Sequence, residues 1–435
     1  MTTPGKIIPR SAHGISRTNI SESALKVLYQ LKKAGFDAYL VGGGVRDLLL
    51  DRRPKDFDVA TNARPEQIRQ LFKRNCILIG RRFRLAHVRF GREIIEVATF
   101  RGPQDDADNG DRVTIDGRIV RDNIYGSTIA DDVWRRDFSV NALYYNIRDF
   151  SVIDFVGGMA DIEARTLRLI GDPETRYRED AVRALRAVRF AAKLGFQIHP
   201  ETEAPIREFG NLLEEMSPAR LFDETLKLFH GGAALPSFRL LRQYDLFKRL
   251  FPATEARLAR ADSGFTHRLL ERALANTDAR IAEDKPVTPS FLFAALLWEP
   301  MQHLAMRNRE RGMSPISALE AARKEVISQQ IKHVMLPRRQ VAMIKEIWIF
   351  QQRLMRHVNK RPKRLIIHPR FRAAYDFLVL RGEAGEEQVR DAARWWTEFQ
   401  VSNKVTKPPS IKKRSQSARR RGREKKSSRE SERRK

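Results

Sequence analysis

Asp56 and Asp58 stand two residues apart in the run Asp56-Phe57-Asp58-Val59-Ala60-Thr61. Side chains alternate along a strand, so a strand over residues 56–61 would send both carboxylates to one face and Phe57 and Val59 to the other. Two such anions repel, and a divalent cation that favours hard oxygen ligands, Mg²⁺ above all, would relieve the repulsion. Alone, the pair reads more readily as two acids at a solvent-facing strand edge. Its surroundings change that reading. Residues 36–41 have the pattern of a buried strand, which runs into Gly42-Gly43-Gly44 and then an apolar helix over 45–50. Glycines let a backbone approach a ligand closely, and a helix start offers N–H groups to phosphate. Taken alone, the glycines mark only a tight turn. Followed by the acidic strand, they would let a triphosphate and a metal ion meet.

Three further clusters carry chemistry. Glu96 lies in Ile94-Ile95-Glu96-Val97, on the second arm of an expected hairpin over 86–90 and 93–100 that turns at Gly91. A carboxylate among such residues is costly unless paired or bound to metal, and spacing does not choose between an arginine and an ion. Arg135-Arg136-Asp137 offers guanidinium forks that fit phosphate oxygens, and Asp137 can hold an arginine or a ribose hydroxyl. A surface ion cluster is the plainer reading of that tripeptide. Asp180 and Arg183 stand three apart at the start of an expected helix whose Leu185, Val188 and Ala192 face a core. They would project together and present both acceptors and donors, enough to read a base edge; helix capping with a local salt bridge is the alternative. Arg81, Arg82 and Arg84 would guide an anionic substrate, or else form a solvated basic face.

The elements that must position these residues are legible in outline. Ala24, Val27, Leu28 and Leu31 recur at helical spacing from Ser21, and Gly35 ends that helix. Residues 1–20 read as a polar leader, 51–54 as a turn, and 101–124 as a mobile loop rich in Gly, Asp and Asn whose acids lack calcium-loop spacing. After about residue 170, helical periodicity dominates to about residue 400 with no convincing strand pair, and Pro286 and Pro289 mark a boundary inside it. Trp395 and Trp396 lie in that helical context and are expected to pack in a core rather than stack on bases.

Composition narrows the partners. The 435 residues carry a formal charge of +28 and a pI near 10.6, which points to polyanions, nucleic acid first. Residues 404–435 hold 15 Lys and Arg against 3 Asp and Glu, a net +12. With few large apolar residues, that stretch is expected to be disordered, and the remainder still carries +16. One cysteine, Cys76, excludes an internal disulfide and a thiolate zinc cluster and suits a reducing compartment. No apolar stretch approaches the roughly 20 residues of a membrane span, and the first residues lack a signal peptide's apolar run, so a cytoplasmic location is expected.

In order along the chain stand VGGGVRD, DFD, IEVATFR, RRDFSVNALYY and GDPETRYREDAVRALRAVRFAAKLGF. This series resembles the class II tRNA-nucleotidyltransferase and bacterial poly(A) polymerase family of the DNA polymerase beta-like superfamily, strongly over residues 20–250. The resemblance implies that Asp56, Asp58 and Glu96 bind two Mg²⁺ ions, with Mn²⁺ a possible substitute. Gly42 and Gly43 would contact the triphosphate with Arg46 in support. Arg135, Arg136 and Asp137, with Asn141 beside them, would hold sugar and phosphates. Asp180 and Arg183 would read the base in place of a template. The family's Glu-Asp-Pro is here Glu179-Asp180-Ala181, a loss of proline that touches no contact. The segment 78–88, LIGRRFRLAHV, resembles the signature of the branch that adds A repeatedly from ATP to RNA 3′ ends. The segments HPRFRAAYDFLVLRGEAG and ARWWTEFQ also resemble that branch, and no histidine precedes an aspartate as in the HD domain of some CCA-adding enzymes. CCA addition is the rival within the family, and a non-catalytic basic RNA-binding protein the rival outside it. The implied architecture is an α+β head, a mixed sheet with helices, over 21–165 after the flexible leader 1–20. A helical neck for base recognition and RNA binding over 166–275, a helical RNA-binding body over 276–403 and the disordered basic tail 404–435 complete it. RNA 3′ ends and ATP are the expected partners, with RNA-degradation or RNA-chaperone proteins possible in addition.

Overall fold

Apolar alternation along short strands builds an eight-stranded mixed sheet that carries the candidate site. The computed structural model describes residues 4–403, apart from 81–83, 103–111, 116–117, 123–124, 127, 261, 263 and 357–361. In chain order the strands are β1 (Lys6–Ile8), β2 (Ala38–Val41), β3 (Asp58–Thr61), β4 (Cys76–Ile79), β5 (Leu85–Phe90) and β6 (Glu93–Thr99). There follow β7 (Arg112–Ile115), β8 (Arg118–Asp122), β9 (Leu143–Asn146) and β10 (Val152–Asp154). The spatial order is β1-β10-β9-β2-β3-β6-β5-β4, antiparallel throughout except between β3 and β6.

Helix α1 (Glu22–Lys33) begins where the Ser21 hydroxyl accepts from the Ala24 N–H and ends at Gly35, whose φ of 86° suits glycine. Its Ala24, Val27, Leu28 and Leu31 are fully buried as expected, and it packs on β2, β3 and β6. Helix α2 (Gly43–Leu49) follows the glycine turn, and α3 (Pro65–Phe72) packs on β4 and β5. Because α1 and α3 cover one face, Ala86, Val88, Ile95 and Val97 are buried there while His87, Arg89, Ile94 and Glu96 alternate to the other.

Four expectations need correction. Residues 1–20 are not merely a leader: β1 pairs with β10, His13 Nε2 lies 2.9 Å from the Phe150 carbonyl oxygen, and Ile8, Ile15 and Ile20 are buried. Two isoleucines are too short a run to announce a strand whose partner lies some 145 residues away. The expected loop over 101–124 contains the β7–β8 hairpin; two runs of β-branched residues around Asp116-Gly117 were its signal. Its acidic residues between 103 and 111 lie outside the described residues, as does the tail 404–435. The strand expected from Asp56 starts at Asp58, so Asp56 sits in the approach to β3. Finally, a two-residue strand β12 (Gln197–Ile198) lies beyond residue 170 and pairs in parallel with β11 (Thr166–Leu167).

Beyond the sheet the chain is helical: α4 (Ile129–Val133), α5 (Gly158–Glu163), α6 (Pro173–Glu179), α7 (Val182–Leu194), α8 (Pro200–Glu203), α9 (Ile206–Phe209), α10 (Pro218–Phe229), then further helices to Ser402. Pro289 opens one of these, Pro289–Leu296. Among the described residues two compact units result, divided between Ile344 and Lys345. In the second, Trp396 is fully buried among Phe350, Leu354, Phe371 and Leu378 and donates to the Leu354 carbonyl at 2.9 Å. Trp395 packs against the same core, so both tryptophans are packing residues as expected. No helix among the described residues is long and apolar enough to cross a membrane.

Asp154 ties sheet to helix. Its buried carboxylate accepts the N–H groups of Val156, Gly157, Gly158 and Met159 at 2.9 to 3.1 Å, and so caps the start of α5. Asp154→Ala should therefore lower the unfolding free energy by about 2–3 kcal/mol in urea titrations, and Asp154→Asn, which keeps an acceptor, by less.

Candidate active site

The site begins with a register. On the parallel pair β3 and β6, Asp58 stands directly opposite Glu96, and on the antiparallel pair β6 and β5 Glu96 stands opposite His87. His87 Nε2 lies 3.4 Å from Glu96 Oε2. Parallel pairing of neighbouring strands therefore sets two carboxylates side by side on the face opposite α1. The Asp58 carboxyl is pushed up to about 6, by burial first, then by Glu96, with Asp56 adding and Arg136 opposing. Gly42 turns against it at φ 71°, and a Cβ there would lie 3.4 Å from Asp58 Oδ2. That turn needs glycine for its conformation, and the small residue lets backbone approach the carboxylate.

Among the described residues no group of three His, Cys, Asp or Glu side chains is drawn together closely enough to hold a metal ion. What fits a divalent cation is the donor chemistry: hard oxygens at a half-buried carboxylate whose negative neighbours outweigh its positive one. A Mg²⁺-like ion is commonly held by one or two carboxylates plus substrate phosphates, so a fully preassembled cage is not required.

Of the arginines expected to face phosphate, Arg136 lies on the β9 flank of Asp58. Arg136 donates to Asp132 Oδ2 at 2.8 Å and to the Tyr144 hydroxyl at 2.7 Å, and that hydroxyl donates to Asp132 at 2.6 Å. Burial alone would loosen the Arg136 proton, but Tyr144 and Asp132 outweigh it and hold it more tightly. Its Nη1 lies 4.0 Å from the Cβ position of Gly42. Arg135 donates to the Gly102 carbonyl at 3.1 Å. Asp137 takes the arginine alternative: Arg186 of α7 donates to it from Nε at 2.8 Å and from Nη2. Burial would raise the Asp137 carboxyl, yet Arg186 overrides it and brings it down to about 2. Asn141 donates to Asp137 at 3.3 Å and accepts from the buried Arg46 at 2.6 Å, while Asp47 takes the rest of the Arg46 fork.

Asp180 and Arg183 do not pair with each other. Asp180 lies between α6 and α7, where its Oδ1 accepts from the Val182 N–H at 3.3 Å and its Oδ2 from Arg220 of α10 at 2.5 Å. Arg183 donates to Glu179 at 2.8 Å and to the Arg176 carbonyl at 2.6 Å. Arg84 donates to Glu66 at 2.6 Å, and Arg81 and Arg82 lie outside the described residues.

Reasoning from sequence missed Asp132, Tyr144, Glu179, Arg186 and Arg220, the side chains that hold the expected ones in place. A signal existed for two. Asp132 is one helical turn before Arg136, and Arg183, Arg186 and Arg189 recur every third residue along α7. Arg46, Arg186 and Arg189 converge on the Phe190 ring at 5.3, 5.2 and 4.4 Å.

The raised Asp58 carboxyl has a thermodynamic consequence. Folded, it keeps its proton to about pH 6; unfolded, it ionises in the ordinary range near 3.8, so the metal-free fold is progressively disfavoured as pH rises between the two. Asp58→Asn should therefore stabilise the metal-free protein by about 2 kcal/mol near neutral pH and not in acid, as read by urea titration at both.

Comparison with known proteins places the chain in a family. The family model "Poly A polymerase head domain" matches residues 38–168, which span the sheet from β2 and both carboxylate strands. "Probable RNA and SrmB- binding site of polymerase A" matches 195–258, and "Polymerase A arginine-rich C-terminus" matches 311–435. Poly(A) polymerase I of Escherichia coli O6:H1 is 49% identical over 430 residues, covering 95% of this chain and 92% of that one. The CCA-adding enzyme of Bacillus subtilis is 38% identical but covers 52% of this chain and 55% of its own. Among solved structures, the CCA-adding enzyme of Bacillus stearothermophilus in complex with CTP aligns with a TM-score of 0.59 at 26% identity over 87% of this chain and 82% of that one. This chain belongs to the poly(A) polymerase family of nucleotidyltransferases.

Proposed function

We propose that the chain is a template-independent polynucleotide adenylyltransferase that adds AMP from ATP to RNA 3′ ends, making poly(A) tails that promote RNA processing and decay. The observation that carries the chemistry is the register of Asp58 against Glu96, with Gly42 and Arg136 beside it. Repeated A addition, rather than CCA, is supported by relatives named poly(A) polymerase I along nearly the whole chain, where CCA-adding relatives match about half.

In this reading Asp56, Asp58 and Glu96 hold two Mg²⁺ ions, which Mn²⁺ can replace. When bound, the ions would lower the pKa of the RNA 3′-OH and neutralise charge on the triphosphate and departing pyrophosphate. The carboxylates act as ligands, not as a general acid and base. Gly42 and Gly43 bring backbone against the triphosphate. Arg136, held in place by Asp132 and Tyr144, and Arg135, which donates to the Gly102 carbonyl, bind its oxygens. Asp137, fastened to Arg186, and Asn141, fastened to Arg46, orient the sugar. Asp180 and Arg183 present acceptor and donor to the base, aimed by Arg220 and Glu179. The division of labour is a head over 21–165, a neck over 166–275 and a body over 276–403. The basic stretch 404–435 adds sequence-independent phosphate contacts, and Arg81, Arg82 and Arg84 guide RNA. A cytoplasmic setting among transcripts, and protein partners in RNA decay, follow the same logic.

One assay separates the alternatives: purified chain, Mg²⁺, each labelled nucleotide in turn, and either tRNA lacking CCA or an unstructured RNA. A long A ladder is expected; arrest after CCA would favour tRNA repair, and no incorporation a non-catalytic RNA binder. Asp58→Asn should abolish incorporation while RNA binding survives, and near wild-type extension would refute the ligand role. Truncation after Ser402 should weaken RNA binding most at low salt, because phosphate contacts fade as ionic strength rises; equal affinities at every salt concentration would contradict it.

A further inference from the structure

The row that begins with Asp58 and Glu96 continues past the carboxylates. His87 of β5 stands opposite Glu96, and Ile77 of β4 stands opposite His87. On one side of that row Ile94 is paired with Arg89, and on the other Leu85 is paired with Ile79. The face is exposed: Ile77 keeps 43% of its surface, Ile94 42% and Ile79 36%, while Cys76, Ala86, Val88, Ile95 and Val97 on the reverse face are buried. Scattered exposed isoleucines are ordinary, but three clustered on the sheet face that holds the acids call for an occupant.

We propose that this face of β4, β5 and β6 is the landing surface for the last nucleotides of the RNA acceptor. The 3′ end points at Glu96, the bases and riboses lie on His87, Ile77, Ile79 and Ile94, and Arg89 faces the backbone. The proposal rests on the reading of the chain as an RNA-extending enzyme. Three observations favour this occupant. Arg136, read as a triphosphate ligand, is held against Tyr144 of β9 on one side of Asp58, which leaves the β6-β5-β4 flank on the other side for the second substrate. Carboxylates repel phosphodiesters, so an RNA strand must reach them over a surface without acids, and outward from Glu96 the row carries only His87 and Ile77. Strands lie about 4.8 Å apart, so the row outward from Glu96 to Ile77 spans about 10 Å. That length accommodates about three nucleotides stacked at about 3.4 Å each. Imidazole and aliphatic side chains accept any base face, which matches an acceptor of unspecified sequence. The 78–88 segment singled out in the sequence thereby gains a physical role, since it supplies Ile79, Leu85 and His87 to this face.

The test measures AMP incorporation by the full chain into an unstructured RNA, with primer and ATP varied in turn. Ile77→Ser/Ile79→Ser should raise the primer KM about tenfold, the loss expected for removing contacts to one or two bases, with the ATP KM at saturating primer unchanged. His87→Ala should act likewise and His87→Phe, which keeps a ring, should restore the primer KM. Ile7→Ser, at a more exposed isoleucine on the opposite edge strand β1, should change nothing. In the wild-type chain, 4-thiouridine in the primer's last three positions should crosslink to the peptide 76–96. An unchanged primer KM in the double variant, equal losses for primer and ATP, or crosslinks confined to other peptides would overturn the proposal. β4 is also an edge strand, so a shift from dimer to monomer in the double variant with primer KM unchanged would assign the face to a second copy instead. A wild-type chain that extends no RNA would sink the enzymatic reading itself; an active wild type with indifferent variants sinks only the landing surface.

Discussion

Two carboxylates on neighbouring parallel strands repel each other, and the neighbourhood of the site is organised around that repulsion. Among the described residues β3 and β6 are the only parallel neighbours in the large sheet, and their register brings Asp58 level with Glu96. Burial and the neighbouring acids make Asp58 a poor acid, which is the condition under which a divalent cation binds with most to gain. Gly42 must stay small for backbone to reach the same place, and Arg136 must stay close to moderate the charge. Instability at this point is thus not a flaw in the fold but a charge imbalance that a bound cation would relieve.

Around that centre, each side chain expected to touch nucleotide is held by another that was not expected to. Arg136 leans on Asp132 and Tyr144, Asp137 on Arg186, Asn141 on Arg46, Asp180 on Arg220 and Arg183 on Glu179. A guanidinium with a fixed carboxylate partner loses little freedom when a ligand arrives, so these pairs preorganise the site. Asp137–Arg186 and Asp180–Arg220 also connect separate elements: the first joins the segment after α4 to α7, the second the α6–α7 junction to α10. The pieces that would bind sugar and base are therefore mechanically linked.

The sheet divides its labour about the same two acids. The β2 and β9 flank carries arginine and tyrosine, suited to a triphosphate. The β5 and β4 flank carries histidine and isoleucine, suited to bases and riboses. One sheet face with opposite chemistries on its two sides would offer two substrates a common meeting point.

Much of this was legible without coordinates. The α1 stripe, the glycine turn, the D-x-D run and Glu96 followed from local pattern, because periodicity and turn chemistry are properties of a few neighbouring residues. So did the basic charge that favours a polyanion. What local pattern does not contain is register and distance between remote segments. No spacing rule shows that Asp58 and Glu96 are opposite one another on parallel strands, that Ile7 and Ile8 complete the sheet beside β10, or that β7 and β8 pair within an expected loop. Nor did it reveal that Asp180 and Arg183 turn to Arg220 and Glu179 rather than to each other. The types of residue that can do the chemistry were determined by the sequence itself. Which of them meet, and which partners hold them there, was decided by tertiary pairing, since repulsion and hydrogen bonding depend on ångströms that a one-dimensional string does not carry.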